Sequence, residues 1–186
     1  MKKCLRVLLI VVSILLFTDT SHAKKKLKVF IFAGQSNMVG SDSNVKAIDT
    51  FPPFVGYGKK QEANMFYYSI GRERKFESDN WESLSPVNNV VGPEISFARK
   101  VSTTINEPVA IIKCAAGGTH LGGDWNPDKP SGFKMYPLAL NLVKSALNEL
   151  KKKNIEYEIE GFMWHQGEND MFNEDYMNNY GDNLQN

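Results

Sequence analysis

Histidine is scarce in this chain: His22, His120 and His165 are the three in 186 residues. Cysteine is scarcer still, with Cys4 and Cys114. Cys4 precedes an apolar leader, so Cys114 stands alone in the remainder. That excludes an intramolecular disulfide there and any cysteine-based metal site. No apolar run approaches the roughly 20 residues of a membrane-spanning helix. The longest, Val7 to Phe17, is broken by Ser13. An excess of one charge is also lacking: 22 Lys and Arg face 21 Asp and Glu, for a formal net charge of +1. Such a balance gives no electrostatic footprint for nucleic acid or an anionic membrane. No G-x-x-x-x-G-K-[ST] string and no G-x-G-x-x-G string follows a strand, which disfavours nucleotide binding. No metal and no cofactor is expected.

The amino terminus reads as a leader. Lys2, Lys3 and Arg6 precede the apolar stretch, and Ser21-His22-Ala23 puts small residues at the −3 and −1 positions of a cleavage site. Residues 1–23 are therefore expected to be a signal peptide. The protein would be secreted or periplasmic, with no stable membrane association after cleavage. Residues 24–186 suit one domain with one substantial core.

Along that domain, apolar periodicity predicts alternating strands and helices. Leu27–Ala33 is a strand with apolar residues on both faces, as expected of a strand buried on both sides. Pro93-Glu94 opens a helix to about Ile105, with Ile95, Ala98, Val101 and Ile105 as its inner stripe. Val109–Ile112 is a second buried strand. A helix from about Tyr136 to Lys152 gathers Leu138, Ala139, Leu142, Val143, Ala146, Leu147 and Leu150 on one face. Tyr157–Trp164 is a third strand, with Tyr157, Ile159, Phe162 and Trp164 among its packing residues. This order predicts an α/β fold with a parallel sheet and right-handed crossovers. The 41–86 stretch is less regular, with a short strand at Met65–Ile70. The polar segment from Met171 to Asn186 offers the start of a helix.

All three strands end in unusual polar sequence: Gly34-Gln35-Ser36-Asn37, Gly117-Gly118-Thr119-His120 and His165-Gln166-Gly167-Glu168-Asn169-Asp170. Ligands of open α/β sheets bind beyond the carboxyl ends of the strands. If the strands are parallel neighbours, these ends converge. They would then bring together a hydroxyl, a flexible glycine N–H, an amide and a carboxylate. Those are the parts for acyl transfer through a tetrahedral intermediate.

Four ordered strings, GQSNM-x-G, GPE-x-x-F-A, K-x-A-x-GGT-x-L and WHQGE-x-D, resemble the sialate O-acetylesterase-like branch of the SGNH hydrolases. That branch includes the acetylxylan esterases of carbohydrate esterase family 6. The resemblance runs from about Leu27 to Asp170. It implies a three-layer α/β/α sandwich (SGNH/flavodoxin-like) and a serine esterase that removes O-acetyl groups from carbohydrate of the sialic acid or xylan type. An acetylated carbohydrate is the implied partner. Ser36 would be the nucleophile. The N–H groups of Ser36 and Gly118 and the side-chain amide of Gln166 would form the oxyanion hole. Asn169 is the alternate third donor, because Gly167-Glu168-Asn169-Asp170 also fits the G-x-N-D pattern of the wider superfamily. Glu168 matches an acid that orients the catalytic histidine in some members. Gln35, Asn37, Thr119, Trp125 and His165 surround these groups as candidates for substrate contact. Thr119 and Asn37 fit loop-holding hydrogen bonds better. Lys113 matches the pattern with no chemical step assigned.

The resemblance also implies a late D-x-x-H block whose histidine takes the serine proton, and this sequence contains none. General-base assistance is typically worth about 10² to 10⁴ in rate. The expectation is that residues 24–186 form an esterase domain truncated at its carboxyl end, with an incomplete sheet. Other readings are that His165 or His120 replaces the base, or that the cleft serves a carbohydrate-binding pseudoenzyme.

Overall fold

The computed structural model describes residues 26–186. The expected signal peptide lies outside the described residues. The chain builds a six-stranded sheet from β1 (Leu27–Gly34), β2 (Gln61–Ile70), β3 (Phe76–Glu77), β4 (Glu82–Leu84), β5 (Val109–Ala115) and β6 (Tyr157–His165). The order is β3-β2-β5-β1-β6, with β4 pairing β2. β1, β2, β5 and β6 run parallel, and β3 and β4 are antiparallel to β2.

The layering follows from side-chain alternation on the two central strands. Phe30, Phe32, Val109 and Ile111 turn to one face and pack with Ile95 and Ala98 of the Pro93–Ile105 helix. Val29, Ala110 and Ile112 turn to the other and meet Ala146 and Leu150 of the Met135–Lys152 helix. Every residue of β5 is buried, as befits the middle of a parallel sheet. Each of its large aliphatic side chains gains about 1.5–3 kcal/mol from leaving water. The result is a mixed α/β fold with a mostly parallel central sheet between two helical layers.

Two expectations need correction. The 41–86 stretch holds a full ten-residue strand, β2, next to β5. Ile159 and Phe162, expected to pack inside, are 51% and 60% exposed. β6 is the edge of the sheet, and the two long helices pack mainly on β5 and β2.

Candidate active site

The strand register sets the site. Gly34 is level with Ala115 of β5 and with His165 of β6, so three chain segments leave the sheet side by side. Gly34 has φ +155°, and a side chain there would collide with the His165 carbonyl. A larger residue would therefore push β6 away. Gln35 N–H then donates to the His165 carbonyl at 3.0 Å, and Ala116 N–H to the Gly34 carbonyl at 3.1 Å.

Ser36 stands one residue past this junction, at the start of a single helical turn, Ser36–Val39, and is partly exposed. It abuts Gly117, where an added Cβ would sit 3.6 Å from the Ser36 Cβ. Gly118 follows with φ +73°, a left-handed conformation that suits glycine. A Cβ on Gly118 would lie 2.8 Å from Arg72 Nη1 and 3.4 Å from Asn169 Nδ2. Ser36, the glycine pair and Asn169 thus share one corner of the surface.

The two amides proposed for the third donor differ in what they already hold. Gln166 Nε2 donates to the Thr119 carbonyl at 2.9 Å and to Asp170 Oδ2 at 2.5 Å, with Gln35 Oε1 at 3.2 Å. Its Oε1 accepts from Tyr180 at 3.0 Å. Two amide hydrogens are thus committed to buried acceptors. The Asn169 side-chain amide has no such partner among the described residues.

The remaining candidates separate into buried supports and exposed groups. Gln35, Thr119 and Trp125 are buried. Gln35 Oε1 accepts from the N–H groups of Gly167 at 3.2 Å and Asn169 at 3.4 Å, which shapes the loop after β6. Thr119 donates to the Ala116 carbonyl at 2.9 Å and accepts from Trp125 Nε1 at 3.0 Å. These three hold loops in this structure. Asn37 is exposed and its amide donates to Glu168 Oε1. The same carboxylate oxygen lies 3.9 Å from His165 Nε2. Glu168 Oε2 is buried with no hydrogen-bond partner among the described residues. His120 is engaged elsewhere: its N–H and Nδ1 face Asp124 Oδ2 at 2.8 Å and 3.3 Å.

Sequence reasoning left three contributors without a role. Asp170 is buried and accepts from Leu121 N–H at 2.9 Å and Gly122 N–H at 3.0 Å, besides Gln166. It fastens the loop after β5 to the loop after β6. Lys113 and Glu94 form a wholly buried ion pair at 2.5 Å. Lys113 Nζ also donates to the Val39 carbonyl at 3.2 Å, at the end of the turn that carries Ser36. Burial depresses the Lys113 pKa, against the opposing pull of Glu94. A lysine inside the apolar run of β5 was the available signal, because a buried ammonium demands a carboxylate. Arg72 gave no such signal, since it lies in the irregular stretch. Cys114 is buried beneath the site, and burial pushes its thiol up to about 12, so it is no nucleophile at neutral pH.

Among the described residues there is no cluster of His, Cys, Asp and Glu suited to a metal ion. None of the described helices is long and apolar enough to cross a membrane.

Comparison with known proteins adds the following. The family model for "Carbohydrate esterase, sialic acid-specific acetylesterase" matches residues 26–186. The X-ray structure of a protein from Arabidopsis thaliana is similar at TM-score 0.62 and 21% identity, over 87% of this chain and 66% of that one. That likeness is one of fold. A carbohydrate acetylesterase from Xanthomonas citri gives TM-score 0.48 and 14% identity, over 84% of this chain and 36% of that one. The chain thus spans just under two thirds of the first protein and about a third of the second. No curated protein matches.

Proposed function

The chain belongs to the carbohydrate esterase, sialic acid-specific acetylesterase family, and from that premise we propose that it is a serine esterase acting on O-acetylated carbohydrate. The observation that carries the reading is the meeting of Ser36, Gly117-Gly118 and an uncommitted Asn169 amide at the ends of three parallel strands.

In this mechanism Ser36 Oγ attacks the acetyl carbonyl carbon and gives its proton to a general base. The histidine of the implied D-x-x-H block is not among these 186 residues, and the imidazole beside Glu168 is that of His165, with Nε2 3.9 Å from Oε1. Glu168 Oε2, which has no hydrogen-bond partner among the described residues, is the acceptor this reading gives to an imidazole N–H. The negative charge that develops on the carbonyl oxygen receives hydrogen bonds from the N–H groups of Ser36 and Gly118 and from the Asn169 amide. Fixed donors of this kind need no reorganisation as charge appears. Collapse breaks the C–O bond to the sugar, whose oxygen takes the proton back from that base. Water then hydrolyses the acetyl-serine by the same steps and regenerates Ser36. Secretion after cleavage at Ala23 belongs to the same reading.

The test is acetate release from an acetylated sugar and nitrophenolate release from 4-nitrophenyl acetate, each for wild type and Ser36→Ala. Labelling by a fluorophosphonate, mapped by mass spectrometry, reports the nucleophile directly. The expected result is saturable release, a loss of about 10³-fold or more in Ser36→Ala, and labelling at Ser36. Equal rates for the two proteins with no label on Ser36 would sink the proposal.

A further inference from the structure

Arg72 has no part in the chemistry above, yet it lies at the mouth of the site. It follows β2 in the turn from Gly71 to Arg74. Its Nη1 lies 2.8 Å from where a Gly118 Cβ would stand. Its guanidinium carbon lies 4.9 Å from the centroid of the Phe133 ring. An aromatic face fixes the plane of a guanidinium without neutralising its charge. Among the described residues Arg72 has no carboxylate partner, so its N–H groups remain available.

The surroundings share this character. Arg72 and Arg74 line a cleft of about 370 Å³ together with Val39, Ser41, Gly117 and Gly118. Glu73 is the one carboxylate on that wall, and it forms no ion pair with either arginine. Two guanidinium groups against one acid leave the cleft with an excess of positive charge beside the point where the ester carbonyl would be held. A guanidinium offers a planar fork matched to carboxylate and sulfate oxygens.

We propose that Arg72, supported by Arg74, is an anion subsite that holds a negatively charged substituent, carboxylate or sulfate, on the acetylated sugar. The inference rests on the esterase reading for the position of the acetyl group. Because Arg72 Nη1 lies 2.8 Å from where a Gly118 Cβ would stand, the charged group must lie within about one sugar ring of the ester, a span of roughly 5–6 Å at ordinary bond lengths. A neutral sugar would meet the guanidinium with hydroxyls alone.

The experiment measures binding, so that it does not depend on turnover. The full chain carrying Ser36→Ala is titrated with two matched pairs: N-acetylneuraminic acid and its methyl ester, and galactose 6-sulfate and galactose. Chemical-shift changes or calorimetry report the dissociation constants. The charged member of at least one pair is expected to bind about tenfold more tightly at low ionic strength, equivalent to about 1.4 kcal/mol. The preferred pair identifies the anion as carboxylate or sulfate. Adding Arg72→Gln should bring the ratio to about one, and Arg72→Lys should retain part of it. Equal affinities within both pairs, no measurable binding of any probe, or an Arg72→Gln protein that still discriminates would each overturn the subsite. Hydrolysis is assayed separately on wild type. Charge-selective binding without hydrolysis would end the esterase reading alone, and hydrolysis without charge selectivity would end the subsite alone.

Discussion

Gln166 and Asn169 are three residues apart, and the sequence offers both for one role. The string from Gln166 to Asp170 satisfies two patterns at once, so composition and spacing have no means of choosing. Three-dimensional commitments favour Asn169. Gln166 spends its amide hydrogens on the Thr119 carbonyl and Asp170, whereas the Asn169 amide lies against Gly118. An oxyanion donor must be free in the ground state and aimed at the place where charge develops. Asn169→Ala should therefore lower kcat for 4-nitrophenyl acetate about 10² to 10³-fold with little change in thermal midpoint. Gln166→Ala should chiefly lower the midpoint, because it strips hydrogen bonds from buried acceptors at a net cost of about 1 kcal/mol each. Kinetics and thermal melts on both variants decide it. The opposite pattern would return the role to Gln166.

At the scale of elements, much was legible. The helix opened by Pro93-Glu94 ends at Ile105 as the periodicity demands, and the strand starts at Leu27, Val109 and Tyr157 fall where apolar runs begin. Those signals are local. β2 was only half legible because three of its first four residues, Gln61, Glu62 and Asn64, are polar, and Asn64 reaches across to serve the Val109 N–H at 3.0 Å. The exposure of Ile159 and Phe162 was illegible, because apolar content does not reveal whether a strand lies at an edge. Lys113 was legible as an anomaly and its partner was not. Strand alternation turns Lys113 toward the Pro93–Ile105 helix, whose first turn supplies Glu94. Lys113→Met leaves a buried carboxylate without its counter-charge, which should cost about 3–5 kcal/mol. Adding Glu94→Gln to that variant should restore a large part of the loss, since the unpaired charge is then gone. Urea midpoints for the single and double variants check this. A double variant as unstable as Lys113→Met would show that the cost lies in packing and not in the stranded charge.

Across the whole molecule, the site depends on three loops that are distant in sequence and made neighbours by strand register. Register alone brings the strand ends level; it leaves the polypeptide beyond each strand free to wander. Side chains from two of the loops supply the remaining restraint. Gln35 reaches from the first loop to the backbone of Gly167 and Asn169, and Asp170 reaches from the third loop to the backbone of Leu121 and Gly122. The second loop carries Gly118, so Asp170 indirectly sets where the glycine N–H points. Asp170→Ala would leave two backbone donors without their acceptor, each worth about 1–3 kcal/mol if it stays buried. Loosening should then concentrate in one place. Hydrogen exchange at the Leu121 and Gly122 amides should quicken by about 10²-fold, while the amides of β5 keep their protection, because their bonds are made within the sheet. Fluorophosphonate labelling of Ser36 should slow in parallel, since the donors that stabilise its transition state are no longer held. Asp170→Asn, which keeps one acceptor oxygen, should fall between. If exchange at Leu121 and Gly122 stays at the wild-type rate in Asp170→Ala, the fastening must come from elsewhere, and the account of how the three loops meet would have to be abandoned.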